Sequence, residues 1–155
     1  MTVVFCGTAA GTASAQRGHY YAGPGNKFWK TLYTTGLTPR LLQPSEYAEL
    51  AKFGIGLTDL AKTESGSDAE LSRNAFDIAA FEDKIRLYRP QIVCFNGKRA
   101  AQEYFRIRNI TYGLQKAMID DTRLFVAPST SGSASGAWDI EYWRQLAIMI
   151  EVFVG

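Results

Sequence analysis

Residues 3–11 read VVFCGTAAG, an apolar, β-branched run that passes directly into a turn of small residues. Such a run is typical of a strand buried on both faces, as in a parallel sheet covered by helices. We predict a strand over 3–6 and, after it, a turn over 7–15 in which backbone N–H groups can approach a ligand closely. The turn lacks the lysine of a P-loop and the glycine spacing of a dinucleotide fold, and it could also be a tight turn without a ligand.

The rest of the chain alternates between helical and strand-like patterns. Helices are predicted over 28–35, 45–52, 78–88, 98–106 and a C-terminal segment that Asp139 can cap. Strands are predicted over 55–58, 91–95 and 124–127. This alternation predicts an α/β fold: one three-layer α/β/α domain over 1–155, with a short, mostly parallel central sheet.

Composition restricts the classes of function. The chain has 155 residues, 46% of them hydrophobic, and a net charge of +2, which excludes a histone-like polycation. Seven cations and one anion lie between Lys84 and Arg108, so one face could meet a polyanion, or the charges could be ordinary surface. Two distant cysteines and one histidine do not supply a metal cluster, so we expect no metal and no cofactor. With no long apolar run and no leader pattern, we expect no membrane partner and a cytoplasmic location, at the nucleoid in a bacterium.

Ligands of parallel α/β sheets bind beyond the carboxyl ends of the strands. Asp59 ends one predicted strand, where it could serve the site or be a surface residue. Tyr21 belongs to a GHYYAGPGNKFWK stretch (18–30) and could stack on a flat base, or fill the core. Asn26 in that stretch could cap the next helix. The serine-rich segment 129–136 could hold phosphates or be a mobile linker.

Taken together, these segments resemble the mismatch-specific thymine/uracil branch of the uracil-DNA glycosylase superfamily. The resemblance is carried by six motifs in family order: GTAAG (7–11), GHYYAGPGNKFWKTLYTTGLT (18–38), GIGLTDL (54–60), VCFNGK (93–98), YGLQ (112–115) and APSTSG (127–132). It implies a monofunctional DNA repair glycosylase. Such an enzyme flips uracil out of DNA and hydrolyses its N-glycosidic bond to leave an abasic site.

The resemblance also implies roles for individual residues. Base-binding residues would be Thr8, Ala9, Tyr21 and Asp59, with backbone amides near Thr8 holding the base oxygen and Tyr21 stacking on the ring. DNA-binding residues would be Lys27, Lys98, Ser129, Ser131, Gly132 and Ser133. No lysine stands at a motif position that would attack the sugar, so we expect hydrolysis without lyase activity.

Two departures from the family pattern shape the expected chemistry. Ala9 stands where the family has its catalytic asparagine, so Asp59, Asn26 or Ser129 would have to take over catalysis. Gly132-Ser133 stands where relatives carry an arginine or leucine wedge, so the DNA partner, containing uracil, could be single- or double-stranded. We expect a monomer. The alternatives are a uracil-DNA binding module without turnover and an unrelated nucleotide-binding α/β domain.

Overall fold

The structure is a computed structural model that describes residues 1–8, 20–23, 25–60 and 78–154. Five strands form one sheet in the order β2-β1-β3-β5-β4. The strands are β1 (Val3–Gly7), β2 (Ile55–Asp59), β3 (Ile92–Asn96), β4 (Gly113–Ile119) and β5 (Thr122–Ala127). The helices are α1 (Phe28–Thr34), α2 (Ile78–Tyr88), α3 (Lys98–Phe105) and α4 (Ile140–Val154). Within the described residues, 3₁₀ helices span Pro44–Phe53 and Gly132–Ala137.

The predicted three-layer α/β/α architecture is confirmed. Neighbouring residues of β1 point to opposite faces, so Val3 and Phe5 pack with α1 and α4, while Val4 and Cys6 pack with α2 and α3. β2, β1, β3 and β5 pair in parallel, and only β4 runs antiparallel to its neighbour β5. The two buried faces explain why the parallel strands are continuous apolar runs rather than alternating ones.

The structure departs from the sequence-based expectation at β4 and at residues 132–137. β4 was not predicted, because it is an edge strand whose Leu114 and Met118 are each 46% exposed, so no apolar run marks it. The short helix predicted over 45–52 is present as a 3₁₀ helix that spans Pro44–Phe53, with non-helical angles at Glu46. Residues 132–137 form a 3₁₀ helix in place of the predicted loop or mobile linker.

The ends of the helices follow the expected chemistry. A side-chain oxygen of Asp139 accepts the backbone N–H of Glu141 at 3.0 Å, as predicted for the start of α4. Phe28 and Trp29, at the start of α1, belong to the core and are 0% and 6% exposed. In the described parts of the chain, no helix combines the length and apolarity required to cross a membrane.

Candidate active site

The candidate site lies at the carboxyl ends of β1, β2 and β3. From β1 the chain passes to β2 on one side and later to β3 on the other, so the strand order reverses around β1. Such a switch point opens a crevice beyond the strand ends, where ligands of α/β folds bind. Gly7 and Asp59 are register partners at the ends of β1 and β2, and Asn96 ends β3. The topology therefore brings Asp59 and the start of the first turn together, as predicted.

Gly7 is required by a close approach. A Cβ atom at this position would lie 2.9 Å from Oδ1 of Asp59 and 3.7 Å from the hydroxyl of Tyr21. A distance below 3.0 Å is one that real Cβ atoms essentially never show, so any larger residue would displace the carboxylate. Thr8 follows and is half-buried. Ala9, with the rest of the turn, lies outside the described residues.

Asp59 is a buried carboxylate, only 7% exposed. The surface position considered from the sequence is therefore wrong. Placing an ionised group in the interior is costly unless the surroundings compensate it, so buried acids concentrate at functional sites. Asp59 lies at the switch point, next to the hydroxyl of Tyr21 and the space above Gly7.

Tyr21 covers the crevice from the segment before α1. Its backbone φ is 55°, a left-handed value that is uncommon for a residue other than glycine and is found at constrained sites. The ring stacks on Phe28 with centroids 4.2 Å apart and planes 30° apart. The indole N–H of Trp29 donates to the carbonyl of Tyr20 at 3.2 Å, which helps to hold this segment. The ring is half-buried, as a stacking surface needs to be.

The hydroxyl of Tyr21 is fully buried and makes no hydrogen bond among the described residues. Burial, and then the negative charge of Asp59, raise its pKa well above the ordinary value of tyrosine. The side chain of Asn96 acts in the opposite direction, although it lies outside hydrogen-bonding geometry. A protonated phenol without a hydrogen-bond partner among the described residues therefore lies near Gly7, where a ligand atom could meet it.

Asn26 is engaged by the backbone of α1. Its side-chain oxygen accepts the N–H of Phe28 at 3.0 Å, and its own N–H donates to Gly23 at 3.2 Å. The first bond satisfies one of the helix N–H groups that lack an intrahelical partner. The role in capping is thus realised, although Lys27 holds the formal N-cap position. A role of Asn26 in holding water stays a prediction.

The segment 129–135 is ordered by its own hydroxyl groups. Oγ of Ser129 accepts the N–H of Ser131 at 3.2 Å, and Oγ of Ser131 accepts the N–H of Ser133 at 3.3 Å. The hydroxyl of Ser135 donates to the carbonyl of Gly132 at 2.7 Å. These local bonds shape a compact turn in which Gly132 and Ser133 are exposed. Contacts of these residues with phosphates stay predictions.

Asn96 fixes this segment to the sheet. Its amide donates to Oγ1 of Thr130 and its oxygen accepts the N–H of Thr130, both at 3.0 Å. Thr130 is 1% exposed and Asn96 is half-buried, so both bonds are partly shielded from solvent. The strand predicted before it ends at residue 95, and no role was predicted for Asn96. Asn96 shows the same pattern that singled out Asp59, a polar residue at the end of a buried strand, so the sequence did carry a signal for it.

Two further contacts join the serine segment to the chain before α1. The N–H of Lys27 donates to the carbonyl of Thr130 at 2.8 Å. A Cβ on Gly132 would lie 3.4 Å from the carbonyl oxygen of Gly25, so the two backbones pass close together. The Tyr21 segment, the serine segment and β3 therefore form one connected rim around the crevice.

Both lysines predicted to bind DNA lie on this rim. Nζ of Lys27 donates to Oγ of Ser135 at 3.0 Å and lies 5.6 Å from the centre of the Trp138 ring. Nζ of Lys98 lies 4.5 Å from the centre of the Tyr112 ring. In the part of the chain that the structure describes, no three of the residues His, Cys, Asp and Glu are grouped to hold a metal ion.

The comparisons with known proteins agree with this architecture. A family model described as "Uracil DNA glycosylase superfamily" matches residues 1–147. One similar solved structure is from Methanosarcina acetivorans and is titled as the solution NMR structure of "a putative Uracil DNA glycosylase". The match has a TM-score of 0.67 at 18% sequence identity, and covers 97% of this chain and 91% of that one. At this identity the likeness supports the fold.

Proposed function

The chain belongs to the uracil DNA glycosylase superfamily, and on that premise we propose that it excises uracil from DNA by hydrolysis of the N-glycosidic bond. The observation that carries the proposal is the buried carboxylate of Asp59 beside Gly7, with the hydroxyl of Tyr21 close to the same glycine. A flat base inserted into this crevice would meet a ring on one side and an anionic acceptor at its edge. The superfamily excludes the alternative of an unrelated nucleotide-binding domain.

Uracil fits the chemistry of the crevice better than cytosine does. Uracil offers an N3–H donor that the ionised Asp59 can accept, whereas cytosine presents bare acceptors at N3 and O2. The buried phenol of Tyr21 stays protonated, because its pKa is raised, and so adds no second negative charge beside the base. The base would stack on the half-buried ring of Tyr21. Backbone N–H groups near Thr8 would hold a carbonyl oxygen of the base.

The proposed reaction is a hydrolysis. The C1′–N1 bond breaks, its electron pair leaves with uracil, and the oxygen of a water molecule forms the new bond to C1′. The departing base takes up the proton that the water releases. As the bond breaks, the sugar gains the positive charge of an oxocarbenium ion, which a buried anion stabilises. Asp59 supplies that anion, and Asn26 or Ser129 would position the water.

DNA would be held along the rim. The serine segment and the two lysines, Lys27 and Lys98, would contact phosphates. Ser133 is too small to fill the space that a flipped base leaves in a duplex, so the proposed substrate includes single-stranded DNA. We further propose that the protein acts as a monomer in the cytoplasm.

A single assay separates excision from binding. An end-labelled oligonucleotide with one uracil is incubated with the protein and then heated in alkali, which cleaves at abasic sites. Cleavage at the uracil supports the proposal, and an identical oligonucleotide with thymine in that place is the control. A mobility shift without cleavage supports the alternative, a binding module without turnover, which Ala9 motivates. Trapping of a borohydride adduct would contradict hydrolysis without lyase activity.

A further inference from the structure

Two tyrosines and a lysine meet beside the crevice, and nothing above assigns them a role as a group. The rings of Tyr112 and Tyr142 lie with centroids 5.1 Å apart and planes 44° apart. Both side chains are half-buried, so part of each ring faces solvent. The ammonium group of Lys98 lies 4.5 Å from the centre of the Tyr112 ring. We call these three residues the tyrosine platform.

The platform lies at the same edge of the sheet as the crevice. Tyr112 directly precedes β4, and the next residue, Gly113, pairs with Val126 near the carboxyl end of β5. Lys98 begins α3, two residues after Asn96 ends β3. Tyr142 lies in the first turn of α4, shortly after the 3₁₀ helix Gly132–Ala137.

The platform also adjoins the serine segment. Gly97, next to Lys98, approaches Ser129 so closely that a Cβ on Gly97 would lie 3.0 Å from the Cβ of Ser129. Lys27 contacts the far end of the segment, at Ser135. A DNA strand whose phosphates follow the serine segment would therefore run from the crevice toward the platform.

Aromatic rings interleaved with cations are the recurring means by which proteins hold unpaired bases, since every base has a face that can stack. The ammonium group of a lysine above the ring can leave it and bind a phosphate at little cost in free energy, because a partly exposed cation–π contact is weak. We propose that the tyrosine platform binds the nucleotide adjacent to the excised uracil by stacking on its base, and that the preferred substrate is single-stranded. This inference rests on the proposed function and specifies its substrate.

Burial, and then the neighbouring Tyr142, raise the pKa of Tyr112. Tyr112 is therefore neutral at physiological pH and does not repel phosphate. The small side chain of Ser133 also favours a single-stranded substrate. A protein that works on a duplex has to replace the flipped base, whereas a protein that holds a single strand needs only to grip the neighbouring bases.

The test uses a single-stranded oligonucleotide with 2′-fluorodeoxyuridine, whose fluorine disfavours the cationic sugar and so slows cleavage. The neighbours of this nucleotide are either ordinary or replaced in turn by an abasic tetrahydrofuran. Binding is measured by fluorescence anisotropy for the wild type, Tyr142→Ala, and Tyr88→Ala as a matched control. Tyr88 is 60% exposed at the end of α2, away from the crevice.

We expect Tyr142→Ala to weaken binding about tenfold, the scale of one stacked base, and Tyr88→Ala to leave it unchanged. Removal of one neighbouring base should weaken the binding of the oligonucleotide to the wild type by a similar factor. The same removal should hardly change its binding to Tyr142→Ala, because both changes remove the same contact. Tyr142→Phe keeps the ring and should bind like the wild type, which controls for misfolding of the alanine variant. The inference would be overturned if Tyr142→Ala bound as tightly as the wild type. It would also be overturned if the losses of affinity from the substitution and from the missing base multiplied.

Excision of ordinary uracil from the same strands separates this inference from the proposed function. Excision that ignores both the neighbouring base and Tyr142 refutes the platform and leaves the function standing. Binding that depends on both, without any excision, supports the platform and refutes the function. Tighter binding of a duplex than of the single strand, unchanged in Tyr142→Ala, also refutes the platform.

Discussion

Replacing Asp59 by asparagine keeps the shape of the side chain and removes its charge, so it isolates the electrostatic part of the proposed mechanism. The side chain is 7% exposed and closely approaches Gly7, so solvent screens its charge poorly. We expect Asp59→Asn to lower the single-turnover rate of uracil excision by about 100-fold or more. This factor corresponds to about 2.7 kcal/mol of transition-state stabilisation, the scale found when one electrostatic contact of an active site is removed.

The rate is measured with a single-stranded oligonucleotide carrying one uracil, at enzyme concentrations above saturation, by alkaline cleavage at timed points. Saturation separates the chemical step from weaker binding, and thermal melting controls for changes in folding. Full excision by Asp59→Asn would refute the role of the charge and leave Asn26 or Ser129 to hold the water. The companion variant Ala9→Asn restores the amide of the family pattern. A gain in rate from it would show that Asp59 compensates for the missing side chain incompletely.

Three further predictions concern the ring, the rim and the DNA. Tyr21→Ala should weaken excision by about 1–3 kcal/mol through lost stacking. Tyr21→Phe keeps the ring and should retain excision. It should also raise the free energy of unfolding in urea by about 1 kcal/mol, because the hydroxyl is buried without a partner among the described residues. An inactive but folded Phe variant would contradict the stacking role. Asn96→Ala should lower the free energy of unfolding by about 2 kcal/mol, since it leaves the buried N–H and hydroxyl of Thr130 without the partners that Asn96 supplies. An unchanged urea midpoint would show that these two hydrogen bonds do not stabilise the fold. The affinity for DNA should fall as the salt concentration rises, and a plot of log affinity against log salt concentration should have a slope of about −3 to −4. In Lys98→Ala the magnitude of this slope should be smaller by about 1. An affinity that does not depend on salt would contradict phosphate binding by the rim.

Much of the fold could be predicted because it depends on local patterns. The strands that became β1, β2, β3 and β5 are short apolar runs between turn residues, and their helices carry apolar residues at helical spacing. β4 was not predicted because this edge strand buries few apolar side chains and so shows no apolar run in the sequence. Its best signal was the Asp120-Asp121 pair that joins it to β5, where Asp120 adopts a left-handed φ of 51°.

The candidate site could be predicted only in part. The place of Asp59 followed from its position at a strand end, and its burial is what distinguishes it from a surface residue. The left-handed backbone of Tyr21 could not be read from the sequence, because tyrosine gives no signal for it. The Asn96–Thr130 pair joins residues 34 positions apart, and it depends on the register of β3 with β5, which no local pattern reveals.

A crystal structure of the protein with free uracil tests the central claim most directly. The account predicts that uracil lies in the crevice above Gly7, with its ring on Tyr21 and its N3 atom about 2.9 Å from a carboxylate oxygen of Asp59, to which N3–H donates. A carbonyl oxygen of the base should face the backbone near Thr8. Uracil bound away from the carboxyl ends of β1 and β2, or in the crevice with Asp59 facing neither the base nor the position of C1′, would contradict the account.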